Sequence, residues 1–193
     1  MQTIRVFIAI KLPPDVQTYV GAVTADLAAQ VDTGLVRWVT PDRLHLTLRF
    51  LGDTAVSQLP ELCQMLDGVG AQQRPFQMNL TQLGAFPNQR RPRVIWLGLG
   101  GETAVLTSLK QQLDQALLPG GWAVEKRPFQ PHLTIGRVKD RGAGQQVTVG
   151  QQIKWQARVG QLAIPVTAVY LIESQLRPDG PYYTTRHTAQ LTT

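Results

Sequence analysis

The chain has 193 residues, 43% hydrophobic and only 17% charged, too apolar for a disordered chain, too mixed for a fibrous one, and long enough for one domain with a sizeable core. Nineteen Lys and Arg against thirteen Asp and Glu give +6, and 14 of the 19 cations are arginine, which leans toward a phosphate-bearing partner, with plain solubilising charge as the alternative. The most apolar of the long uncharged stretches, 159–172, contains Gln161, Pro165 and Thr167 and falls short of the ~20 apolar residues of a spanning helix.

Residues 3–12 alternate Ile4, Val6, Ile8 and Ile10 against Arg5, Phe7 and Lys11, which predicts a strand. The charges inside this run also argue against a secretory leader. Pro13, Pro14 and Asp15 then open a helix to about residue 31. Short and long strands are expected at 35–39 and 44–51, a helix at 57–66, and strands at 76–83 and 93–99. Gly100 and Gly101 precede a helix at 102–117, with Val105, Leu106, Leu109 and Leu113 at helical spacing. A strand-like 122–124 leads to a strong strand at 129–138. The polar, glycine-containing stretch Gly142–Gln152 is expected to be a loop with at most a poor helix. Strands at 156–164, 166–175 and 182–191 finish the chain, the last two joined by the turn Arg177, Pro178, Asp179 and Gly180. Cys63, the single cysteine, falls in the second helix and suits a reducing compartment. Mixed elements without strict βαβ alternation predict an α+β fold with mainly antiparallel sheet.

Two segments resemble each other: His45-Leu46-Thr47-Leu48-Arg49-Phe50 and His132-Leu133-Thr134-Ile135-Gly136-Arg137, offset by 87 residues, close to half the chain. Alternation points His45 with Thr47, and His132 with Thr134, while the leucines and Ile135 face a core. Two such strands from two related lobes line one cleft with two imidazoles and two hydroxyls. By the same alternation Arg49 and Gly136 fall on the cleft face, Arg49 as a substrate contact or a solvated cation at the rim, and Gly136 leaving room for a ligand. Arg137 falls on the core side unless the strand ends or bulges. Phe50 and Phe129 are expected in or near the core. His187 lacks the two-residue spacing to a threonine and is expected to be structural, and Arg90, Arg91 and Arg93 form a basic turn suited to solvent or an RNA backbone.

This inventory suits phosphodiester chemistry without a metal, since histidine serves as acid or base near neutrality and threonine hydroxyls donate to phosphate oxygens. Neither zinc-ligand spacing nor a phosphate-cradling glycine loop is present, so no metal and no cofactor are expected. The paired His-Leu-Thr segments, with Arg5-Val6-Phe7-Ile8-Ala9-Ile10, Arg93-Val94-Ile95-Trp96 and Phe129-Gln130-Pro131 in order around them, resemble the 2H (two-histidine) phosphoesterase superfamily. The similarity is greatest to its RNA 2′,3′-cyclic phosphodiesterases, the 2′-5′ RNA ligase-like branch. That resemblance implies one domain over 1–193 made of two pseudo-symmetric lobes, each with an antiparallel sheet, helices outside and a cleft between. It implies hydrolysis of RNA 2′,3′-cyclic phosphate ends to 2′-phosphates, with His45 as proton donor and His132 as proton acceptor. It also implies substrate contacts from Thr47, Thr134 and Arg137. A cytoplasmic monomer acting on RNA, without membrane contact, is expected. Two alternatives stay open: 2′-5′ joining of RNA on the same site, and a non-catalytic RNA-end-binding module. Gly142–Gln152 departs from the family, where a better-patterned helix is common.

Overall fold

Alternation along the first strand divides the molecule into two faces. In β1 (Thr3–Lys11) the side chains of Val6, Ile8 and Ile10 enter the main hydrophobic cluster, whereas Phe7 and Ala9 join Ile172 in a small cluster on the other face. The structure, a computed structural model, describes residues 2–125, 127–139, 143–178 and 180–192. Gly142 and Asp179, both part of segments assigned above, lie outside the described residues.

The remaining strands are β2 (Val36–Trp38), β3 (His45–Ala55), β4 (Phe76–Phe86), β5 (Val94–Gly101), β6 (His132–Val138), β7 (Ala163–Val166), β8 (Ala168–Arg177) and β9 (Gly180–Gln190). They form one curled antiparallel sheet in the order β7-β4-β5-β6-β3-β1-β8-β9, with β2 added against β6. Two four-stranded halves, β9-β8-β1-β3 and β7-β4-β5-β6, meet where β3 pairs with β6 through Leu46 and Leu133. Four helices complete the expected α+β fold: α1 (Pro14–Ala28), α2 (Leu59–Ala71), α3 (Thr103–Leu117) and α4 (Ala143–Gln152). Val16, Val20 and Leu27 of α1, and Leu106, Leu109, Leu113 and Leu117 of α3, are buried in the main cluster. Their packing covers that face of the sheet, and the Phe7 face carries the site.

Three local expectations fail, each for want or gain of a tertiary partner. Helix α4 forms where a loop was expected. Its glycines disfavour helix by ~1 kcal/mol each, but Val149 and the following Ile153 are buried in the main cluster, and full burial of such side chains contributes ~1.5–3 kcal/mol apiece. Gly150 lets α4 lie against the 89–91 turn, where a Cβ would stand 2.6 Å from the carbonyl oxygens of Gln89 and Arg90. Residues 122–124 form no strand, and of 156–164 only the end joins β7, which pairs with β4 over Phe76–Asn79. Among the described residues, no helix is long and apolar enough to cross a membrane.

Candidate active site

The two His-Leu-Thr segments are the first residues of β3 and β6, the strands at the junction of the halves. Leu46 pairs with Leu133, and these are equivalent positions of the repeat, so a local two-fold axis passes between them. Extending the antiparallel register by one residue sets His45 toward Thr134 and Thr47 toward His132. The two histidines are then diagonal neighbours, about 7–8 Å apart at the backbone. Leu46 and Leu133 are buried in the main cluster, so the histidines and threonines share the opposite face.

Both strands bulge at equivalent positions. Opposite β1, Arg49 pairs with Ile8 and Thr47 with Ala9, leaving Leu48 extra; opposite β5, Gly136 pairs with Ile95 and Thr134 with Trp96, leaving Ile135 extra. One extra residue reverses the parity of everything after it, and that corrects four expectations. Arg49 does not share the face of His45 and Thr47. It is 4% exposed and turns toward α3, pairing across from core-facing Ile8. Gly136 likewise faces the core side, where a Cβ would meet Trp38 and Val36 at 2.8–3.0 Å. Phe50 leaves the core and is 58% exposed on the cleft face, its ring 6.0 Å from Phe7. Arg137, the position equivalent to Phe50, turns from the core side to the cleft face.

The imidazoles are prepared alike. His45 Nδ1 lies 2.8 Å from the carbonyl oxygen of Arg43, and His132 Nδ1 lies 2.7 Å from that of Gln130, each two residues upstream. A carbonyl only accepts, so Nδ1 carries the proton in both rings and Nε2 is left to take or give one. Aromatic rings hold each imidazole: Phe7 and Tyr183 at 4.8 and 5.2 Å from His45, and Phe86 and Trp96 at 5.0 and 6.3 Å from His132. Burial holds both histidines below the ordinary value of 6.5, the hydrogen bonds to Arg43 and Gln130 oppose this, and the Arg137 charge adds to the lowering at both. One guanidinium therefore acts on the two rings together. Tyr183, raised by burial, also feels Arg137 and Arg43. Neither threonine hydroxyl has a hydrogen-bond partner among the described residues, which leaves Thr47 and Thr134 free to donate to a ligand.

The halves differ around this shared core. Lys11 stands across from His45, its Nζ donating to Thr185 Oγ1 at 2.5 Å above the Tyr170 ring, whereas Gly98 stands across from His132. Arg49 supports the second strand from behind. It donates to the Ala123 carbonyl and lies 3.6 Å from Asp114 and Glu125, while Lys110 Nζ is 2.6 Å from Asp114 and 5.9 Å from the Phe129 ring centre. Phe129 is half-buried against the main cluster. This network fixes the loop that delivers His132. His187 pairs with Asp67 of α2 at 2.7 Å, away from the cleft, and Arg90 and Arg91 sit in the turn against α4. Strand parity alone does not put Phe50 and Arg37 on the face of the histidines; the exposed parity of Arg37 within 35–39 is the signal the sequence offers.

Among the described residues, two imidazoles with Nε2 unbonded, two unpartnered hydroxyls and a guanidinium acting on both rings form a group able to exchange protons beside an anion. The family model described as LigT-like phosphoesterase matches residues 10–96 and 99–183, one His-Leu-Thr segment in each; the chain belongs to that family. An RNA 2′,3′-cyclic phosphodiesterase of Methanothermobacter thermautotrophicus is 31% identical, the match covering 94% of this chain and 95% of the relative. One from Aeropyrum pernix is 31% identical over 78% of this chain and 83% of its own, and one from Geobacillus stearothermophilus is 32% identical, with 43% of that protein covered. Among solved structures, TT0787 of Thermus thermophilus superposes with a TM-score of 0.75 at 28% identity over 97% of both chains. E. coli LigT complexed with 3′-AMP, at 24% identity and TM-score 0.76 over the full length of both, shares the fold.

Proposed function

We propose that the protein hydrolyses RNA 2′,3′-cyclic phosphate ends to 2′-phosphates by metal-independent acid–base catalysis with two histidines. The observation that carries this reading is the equivalent Nδ1 hydrogen bonding of His45 and His132 about a local two-fold axis. In-line displacement at phosphorus needs a base and an acid on opposite sides, and two dyad-related imidazoles about 7–8 Å apart at the backbone leave a phosphate-sized gap between them. The names of the relatives support the substrate.

His132 Nε2 takes the proton of a water as its oxygen bonds to phosphorus. The bond from phosphorus to the 3′-oxygen breaks, and His45 Nε2 protonates that oxygen. One water is added, the phosphate stays on the 2′-oxygen, and the histidines end with protonation states exchanged, to be reset through solvent. Thr47, Thr134 and Arg137 donate to the non-bridging oxygens, where charge must be held in the transition state. An arriving phosphate anion offsets the Arg137 charge, which favours protonated His45 in the complex. The assignment of His45 as acid follows motif order in the superfamily. Exposed Phe50 offers a face on which the terminal base stacks.

Purified protein is incubated with nucleoside 2′,3′-cyclic phosphates in excess EDTA, and the product is read by phosphorus NMR. Formation of the 2′-phosphate is expected. Absence of turnover on both mononucleotide and oligonucleotide cyclic phosphates would overturn the reading, as would activity that EDTA abolishes and a divalent ion restores.

A further inference from the structure

Beyond its bulge, β6 exchanges one neighbour for another. Leu133 pairs with β3, but Gly136, Arg137 and Val138 pair with β2, so β2 fills the opening where the two halves of the sheet diverge. In that short strand Val36 and Trp38 pack on the main cluster, and Arg37 between them faces the opposite way and is exposed. Its partner across the ladder is Arg137. Directly opposed residues of an antiparallel pair point to the same face about 4.5–5.5 Å apart at the backbone, so the Arg37 and Arg137 side chains leave the sheet as neighbours on one face.

Like charges placed this way destabilise a sheet unless something between them is negative. Among the described residues, neither Arg37 nor Arg137 forms an ion pair or hydrogen bond with a side chain; the carboxylates that do form pairs join Arg49, Arg74, Lys110, Arg186 and His187. Arg137 also reaches back far enough to act on both histidines. The two arginines therefore form a cationic pair that begins beside the histidines and continues outward onto β2.

We propose that Arg37, beside Arg137, binds a second phosphate of the substrate: the internucleotide phosphodiester on the 5′ side of the terminal ribose. This rests on the cyclic-phosphate reading above and deepens it. A 2′,3′-cyclic end has nothing beyond it, so the chain continues only through the 5′-oxygen, and the next anion met is that phosphodiester. The site then selects oligonucleotide ends over free nucleoside cyclic phosphates. Arginine suits the task because its fork engages two phosphate oxygens at once.

The test compares a dinucleotide ending in a 2′,3′-cyclic phosphate with the corresponding nucleoside 2′,3′-cyclic phosphate, in wild type, Arg37→Gln and Arg37→Lys. Arg37→Gln lowers the ratio of kcat/KM values, dinucleotide over mononucleotide, by about tenfold, the worth of one charged hydrogen-bonded contact. Arg37→Lys recovers part of it. The slope of log kcat/KM against log salt for the dinucleotide falls by about 0.7, one contact on a single strand. Affinity for the dinucleotide 2′-phosphate product, measured without turnover, changes in parallel. An unchanged substrate ratio and salt slope in Arg37→Gln would overturn the proposal. Wild-type inactivity on both substrates would remove the hydrolytic reading alone, and the product-binding comparison would still decide whether Arg37 holds the second phosphate.

Discussion

Replacing Arg49 by Met tests whether the bulge at Leu48 removed that arginine from the cleft. The side chain is 5% exposed, donates to the Ala123 carbonyl and ion-pairs at 3.6 Å with Asp114 and Glu125. Glu125 is 42% exposed, so solvent screens its share to little. The Ala123 bond is charge-assisted and part-buried, worth at most about 1.5–3 kcal/mol. Asp114 loses one cation and keeps Lys110 at 2.6 Å, which makes the 3–5 kcal/mol of a fully broken buried pair an upper limit. Removing the guanidinium also relieves Nε and Nη1, both buried without a hydrogen-bond partner, and methionine refills most of the aliphatic volume. The net loss is about 2–3 kcal/mol, and at ~2–4 °C per kcal/mol for a chain of this size Tm falls by roughly 5–10 °C. Circular dichroism melting is followed by kinetics on a cyclic phosphate well below Tm, where KM is expected to hold. Arg137→Gln serves as the opposite case: an exposed change worth within about 0.5 kcal/mol of stability, with kcat/KM down about ten- to a hundredfold. Arg49→Met that kept its Tm and raised KM would refute the parity reversal.

His45→Ala and His132→Ala each lose about 10²–10⁴ in turnover with the fold intact by circular dichroism; on a diester with a nitrophenolate leaving group, bound in the same orientation, His45→Ala recovers and His132→Ala does not, and the reverse pattern would invert their roles. Thr47→Ala with Thr134→Ala weakens kcat without abolishing it, each hydroxyl contributing about 1.5–3 kcal/mol to a charged oxygen; wild-type rates in the double variant would remove both from the mechanism. Both histidines sit below 6.5 in the folded protein, so as pH drops the unfolded chain binds their protons first. Their contribution to stability is whole above about 6.5 and is lost as pH falls through the folded values. Urea unfolding from pH 7 to 5 is expected to show a flatter stability profile in His45→Gln/His132→Gln than in wild type, and parallel profiles would contradict the burial of these rings.

The sequence alone singled out the candidate site residues and determined most of the framework. Alternation in β1, the proline and Asp15 start of α1, the leucine spacing of α3 and the Arg177–Gly180 hairpin ends are local features, encoded by period and turn chemistry within a few residues. His45, Thr47, His132 and Thr134 lie at the very start of their strands, ahead of any irregularity, so simple parity placed them on one face correctly. What followed each threonine was decided by tertiary structure. Whether Leu48 and Ile135 count as paired or extra depends on how β3 and β6 register against β1 and β5, strands distant in sequence, and one residue of slip exchanges the faces of Arg49 with Phe50 and of Gly136 with Arg137. Helix α4 depended in the same way on a core that Val149 and Ile153 enter from elsewhere in the chain. The pairing of Arg37 with Arg137 is the furthest from the sequence, because 100 residues separate partners that only the divergence of the two half-sheets, and β2 filling the gap between them, brings together.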